Sequence, residues 1–169
     1  GNNTIASGNG SHAEGGYTTA SRWYSHAEGN NTTASGDDSH AEGSYTVASG
    51  YYGSHAEGQG TTASGFYSHA EGNFTTASGN YAPHAEGNYS IAAGGGSHAE
   101  GGYWDNNING WVHGGLAIGN ASHAEGAKTV AGLKAFTVDS VNSGFLTLNA
   151  SYGDVTGEFS SYTVVTDYG

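Results

Sequence analysis

Alanine marks the chain at a fixed interval. Ala6, Ala13, Ala20, Ala27, Ala34 and Ala41 fall seven residues apart without a break. Each alanine is the middle of a five-residue segment in which small positions alternate with polar or larger ones, so the unit reads [S/T]-x-A-x-G-x-x. A period of seven also suits a coiled coil, but here the a and d positions are not apolar and every unit carries a glycine, a poor helix former. Five alternating residues followed by a two-residue corner predict a strand and a turn. Two units make 14 residues, one coil of a flattened solenoid whose stacked strands run parallel about 4.8 Å apart.

The two halves of a coil differ. One is HAEG, with histidines at 12, 26, 40, 55, 69, 84, 98 and 123, so the steps are 14, 14, 15, 14, 15, 14 and 25 residues. The other is TTASG, at Thr32–Gly36, Thr61–Gly65 and Thr75–Gly79, with looser forms such as SIAAG at Ser90–Gly94, GLAIG at Gly115–Gly119 and TVAG at Thr129–Gly132. The 15-residue steps predict one extra corner residue near Gly53 and near Ala82. Gly-Asn pairs such as Gly29-Asn30 and Gly72-Asn73 predict where the corners take positive φ.

Alternation assigns faces. Ser, Ala and Gly of SHAEG point inward and His and Glu outward, while in TTASG the second Thr and the Ser lie opposite the alanine. A roll lined by such small residues buries little apolar area per coil, because burial contributes only about 25 cal/mol per Å². It is expected to bury one outer face against other copies of itself. The outward ladder of His12, Glu14, His26, Glu28, His40, Glu42, His55, Glu57, His69, Glu71, His84, Glu86, His98 and Glu100 is the expected interface.

Three chemistries suit a repeated His-x-Glu. Metal ligation fits imidazole beside carboxylate. Acid/base catalysis calls for a singular pair in a shaped pocket, not eight copies on a regular surface. Structural pairing, in which each histidine donates to a carboxylate and relieves repulsion along the glutamate column, is the reading the repetition favours. No catalytic residue, metal ligand or cofactor is assigned on this reading. It predicts that chelators leave the melting temperature unchanged. The Thr/Ser ladder also suits an ice-binding array, and the corner aromatics (Tyr17, Tyr24, Tyr45, Tyr52, Tyr67, Phe74, Tyr81, Tyr89) suit packing or sugar stacking.

The roll is assigned to residues 1–132, interrupted by an extra loop at 102–114. Loops on rigid scaffolds commonly carry recognition, so Tyr103, Trp104, Asp105 and Trp111 are the candidate ligand-binding residues. Residues 133–169 leave the period. Three alternating runs around Phe136–Val141, Phe145–Leu148 and Tyr162–Val165 predict a small antiparallel β element.

Composition narrows the classes further. The 169 residues carry 31 glycines, one proline, no cysteine and no methionine, and the chain reads as a piece of a longer protein. Disulfides and zinc–thiolate sites are excluded. The net charge of -12 with three Lys and Arg argues against binding a phosphate backbone. No apolar run reaches the roughly 20 residues of a membrane helix, and no signal peptide is recognisable.

The heptads from about Thr4 to Gly132 resemble the head repeats of YadA-like trimeric autotransporter adhesins, GLAIG at Gly115–Gly119 most of all. The polar alternation of SHAEG with TTASG is similar to repeat segments of bacteriophage tail fibres and appendages. The resemblance implies an all-β, left-handed parallel β-roll assembled as a homotrimer, followed by the small antiparallel element. It implies an extracellular attachment role without enzymatic activity, in a phage tail fibre or a bacterial adhesin head. A host cell-surface glycan is the partner this implies, with neither nucleic acid nor membrane insertion involved. Seven to nine coils would give a rod of roughly 35–45 Å.

Overall fold

The computed structural model describes residues 1–132 in full and, beyond them, the backbone of two strands at 137–142 and 145–149. Residues 1–134 form one unit and 135–169 a second.

The first unit is a parallel β-solenoid of about nine coils. HAEG segments stack into an eight-stranded sheet running from His12–Gly16 to His123–Ala124, and the TTASG-type segments into a nine-stranded sheet from Ile5–Ala6 to Val130–Ala131. Register is like against like: His26 pairs with His40, Ala27 with Ala41, Glu28 with Glu42, and Thr19 with Thr33. Each coil hands its backbone donors to the next at hydrogen-bonding distance, as in His26 N–H to Ser39 O at 2.8 Å and Thr33 N–H to Thr46 O at 2.9 Å.

The core is a double file of methyl groups. Every alanine from Ala20 to Ala117 in this file is fully buried, and the largest side chains buried with them are threonine, serine and Pro83. The expected inward placement holds for the first and third residue of both half-repeats: Ser25 and Ala27, Thr32 and Ala34 are buried. The serine also closes its corner, because Ser39 Oγ donates to Gly36 O at 2.7 Å and Ser97 Oγ to Gly94 O at 2.7 Å.

Two expectations are corrected. The glycine ending SHAEG is exposed, not inward. Gly43 has φ +102°, and a Cβ there would run into the carbonyl oxygen of Gly58 on the next coil, so close coil stacking demands glycine. In the expected Gly-Asn pairs Gly29 and Gly72 do take positive φ, +106° and +103°, but the following Asn does not, and a second corner residue lies in the left-handed region instead. It precedes the half-repeat, directly or, at Tyr52 and Tyr81, with the extra residue between, and is most often aromatic: Tyr17, Tyr24, Tyr45, Tyr52, Tyr67, Phe74, Tyr81 and Tyr89 lie at φ +52° to +65°. That conformation costs a bulky L-residue about 1–2 kcal/mol. It is offset by the bonds it aims at the preceding coil, such as Tyr45 N–H to Asn30 O at 2.9 Å. Stacking contributes as well, with Tyr52 on Tyr67 at 5.6 Å and Phe74 on Tyr89 at 5.1 Å. The extra residues of the 15-residue steps sit where expected, with Gly53 at φ +77° and Ala82 at φ +53°.

The expected loop at 102–114 contains a β-hairpin. Tyr103–Asp105 pairs antiparallel with Gly110–Val112, while Ile91 pairs directly with Leu116 and His98 with His123 as though nothing intervened. In the second unit Thr137–Asn142 pairs antiparallel with Phe145–Asn149, with a bulge between Val138 and Ser140. The third expected run, Tyr162–Val165, lies outside the described residues.

Candidate functional site

Parallel register converts one motif into two columns. From His26 to His123 the imidazoles stack with ring centroids 4.7–4.9 Å apart and planes within 8°. His12, the first histidine of the column, tilts 67° from His26. Beside them stand the glutamates, two residues on and on the same face. The distances are 3.8 Å from His26 Nε2 to Glu28 and 3.7 Å from His69 Nε2 to Glu71. Between coils, His55 Nε2 lies 3.9 Å from Glu42, and His98 Nε2 3.5 Å from Glu86.

The ladder predicted from sequence is therefore assembled, but not as predicted. The histidines were expected to donate hydrogen bonds to the carboxylates. Spans of 3.5–3.9 Å exceed hydrogen-bonding distance in nearly every pair. The Nε2 atoms of His26, His40, His55, His69, His84 and His98 are shut off from solvent with no hydrogen-bond partner. Among the described residues every ion-pair contact runs between these histidines and glutamates, and neither Arg22 nor Lys128 enters one. Arg22 bonds the Tyr51 hydroxyl instead, at 2.6 Å.

Electrostatics follow from the stacking. Burial pushes His69 below the usual histidine value, and the neighbouring His55 adds to it against the pull of Glu57 and Glu86. His84 is lowered in the same way, by burial and then by His69 and His98, against Glu86 and Glu100. The Glu86 carboxylate is held below the ordinary carboxylate range, first by hydrogen bonding with the Glu100 and Glu71 carboxyls and less by His84 and His98. His69 and His84 thus favour the neutral form, which keeps a lone pair free.

The hairpin makes a second candidate site. Trp104 and Trp111 are a cross-strand pair, edge to face at 5.1 Å, and both are exposed, as is Tyr103. Asp105 is committed to the turn, where its Oδ1 accepts from Asn107 N–H at 2.8 Å. Trp111 faces Tyr89, and Tyr89 stacks on His113 at 4.8 Å. A cleft of about 470 Å³ lies alongside, lined by Ile108, Trp111, His113, Leu116, Lys128 and Val130 among others. Sequence reasoning missed Ile108, His113 and Lys128. The alternation of Tyr103–Trp104 and Trp111–Val112 around DNNING was the signal for the hairpin, but Lys128 comes from the following coil.

A model of the YadA head domain repeat matches the chain over residues 1–21, 27–52, 56–82, 85–103 and 113–131. The gap between the last two stretches removes residues 104–112, most of the hairpin. No curated protein and no solved structure matches the chain.

Proposed function

Because the chain belongs to the YadA head-repeat family, a structural adhesin type and not an enzyme family, we propose that it is a trimeric, extracellular attachment segment that holds the tryptophan hairpin out toward a surface glycan. The observation that carries this reading is the core. Nothing larger than threonine or proline is fully buried in the roll, so its inward apolar area is small and further burial between chains is needed.

The seat of the trimer is best placed on the nine-stranded sheet, not on the His/Glu ladder where the sequence expectation put it. The outward file there is Ile5, Thr19, Thr33, Val47, Thr62, Thr76, Ile91, Leu116 and Val130 in strict register. It carries no charge, and Ile5, Ile91 and Val130 are exposed on the single chain. Three apposed glutamate columns would repel, and a homotrimer brings no basic residues beyond three per chain. Light scattering should therefore give three times the 17.1 kDa chain mass. Ile91→Asp, which places a charge in the apposed file, should shift the protein to folded monomer. A wild-type monomer, or an Ile91→Asp protein that stays trimeric, rejects this seat.

The glycan reading rests on the exposed Trp104–Trp111 pair beside a polar-edged cleft, because aromatic faces stack on sugar rings. On an array of surface polysaccharides, Trp111→Ala should weaken binding about tenfold, the loss of roughly 1.4 kcal/mol from one aromatic contact. Equal binding by wild type and variant would remove the hairpin from recognition. The phage tail-fibre placement rests on the polar SHAEG/TTASG alternation and the adhesin-head placement on the family match. The domain joined to this segment in its full-length protein separates them.

A further inference from the structure

We propose that the His/Glu ladder is a column of binding sites for divalent transition-metal ions, zinc being the type, with each site built from three side chains on two adjacent coils. Two groups show the design. In one, His84 and His98 flank Glu86, with Nε2 atoms 3.9 and 3.5 Å from its two oxygens. In the other, Glu57 and Glu71 flank His69. In each group one ligating atom per residue lies within 4.8 Å of the others. Tetrahedral zinc with bonds of about 2.0–2.2 Å to nitrogen and oxygen holds its donors roughly 3.3–3.5 Å apart. The His–Glu spans are thus too long for the hydrogen bond and need close by only tenths of an ångström around an ion, whereas His84 and His98, parallel and 4.8 Å apart, have to tilt toward each other to aim both lone pairs at it.

Three further observations point the same way. The Nε2 atoms are sequestered and unpartnered, so a metal supplies the interaction each one lacks. The glutamate column has no Lys or Arg partner among the described residues, and a second copy of the same acidic chain adds the same excess, so counter-charge must come from solution. The donor set, imidazole nitrogen with carboxylate oxygen and no sulfur, suits zinc, nickel or copper ahead of calcium or magnesium. Three protein ligands leave a fourth position for water. Ions on successive coils would repel and would have to share ligands. Four groups drawn from the ladder share no residue, which sets the expected capacity at four ions per chain.

The test uses the full oligomeric protein, stripped with chelator and dialysed against micromolar zinc chloride. Bound metal is counted, and X-ray absorption reads the ligand shell. The expected result is saturation near four zinc per chain, a nitrogen-and-oxygen shell with imidazole scattering, and a melting temperature raised by zinc and returned by chelator. The double variant Glu57→Gln, Glu86→Gln keeps the side-chain shape and should lose about half of the bound zinc. No uptake by the wild type, an all-oxygen shell, or full uptake by a folded double variant would overturn the proposal. If the double variant fails to fold, the wild-type shell and stoichiometry still decide it.

Discussion

Ala56→Leu will cost the roll its folded state or a large part of its stability. Ala56 is fully buried and pairs in register with Ala41 on one coil and Ala70 on the next. The file around it consists of methyl groups from both sheets. Overpacking an ordinary core costs about 1–3 kcal/mol because neighbouring side chains shift to make room. Alanines have no rotamers to shift, and their backbones are fixed by coil-to-coil hydrogen bonds, so the sheets themselves must separate. A loss of about 3 kcal/mol or more is expected, which is roughly 6–12 °C of melting temperature for a chain of this size. Gln59→Leu, the same side chain placed on the exposed end of the same strand, should change stability by no more than about 0.5 kcal/mol. Equal melting temperatures for the two variants would mean that the alanine file is not the tight core described above.

Acidification should unfold the roll progressively, in chelator so that metal plays no part. His69 and His84 have folded values below 6.5, set by burial and by the stacked histidines around them. The unfolded chain therefore binds more protons on these groups once the pH drops toward 6.5. Their contribution to stability is complete above 6.5 and is lost as the pH falls through that value toward the lowered folded one. Glu86, lowered from 4.5, acts in the same direction further down: its contribution is present above 4.5 and disappears as the pH falls through its depressed folded value. The groups facing these two histidines are His55, His98, Glu57, Glu71, Glu86 and Glu100. The carboxylates favour protonation of the histidines, but burial and the adjacent imidazoles outweigh them. The melting temperature should hold on a plateau above pH 6.5 and fall at each step below it. A midpoint that rises between pH 7 and 5 would show the histidines gaining stability from protonation, and the column would then be an ion-pair ladder.

These two results would probe different layers of one design. The alanine file sets how close the sheets lie. Backbone hydrogen bonds between successive coils fix the spacing that stacks imidazole on imidazole at 4.7–4.9 Å.

The period, the inward alanines, the parallel register and the two extra corner residues were all legible in the sequence, because each follows from side-chain alternation repeated at a constant step. Alternation puts Ala27 inside and His26 and Glu28 outside whatever the coils do later, and a constant step leaves like residues no alternative but to stack. The left-handed corner residues were not legible. Tyr24 takes φ +52° although Gly10 fills the equivalent place one coil earlier, because the preceding coil's carbonyl, not the residue's own preference, sets the conformation. The exposed glycine of SHAEG was misplaced for a related reason: Gly43 answers to the carbonyl of Gly58 on the neighbouring coil, and a strand pattern does not record that approach. The hairpin at Tyr103–Val112 and its cleft needed Lys128 and Val130 from the following coil. The His/Glu ladder divides between the two. Sequence determined which atoms share a face, but only the tertiary structure decided that they stand 3.5–3.9 Å apart, since that span is set by how closely the backbones of successive coils pack.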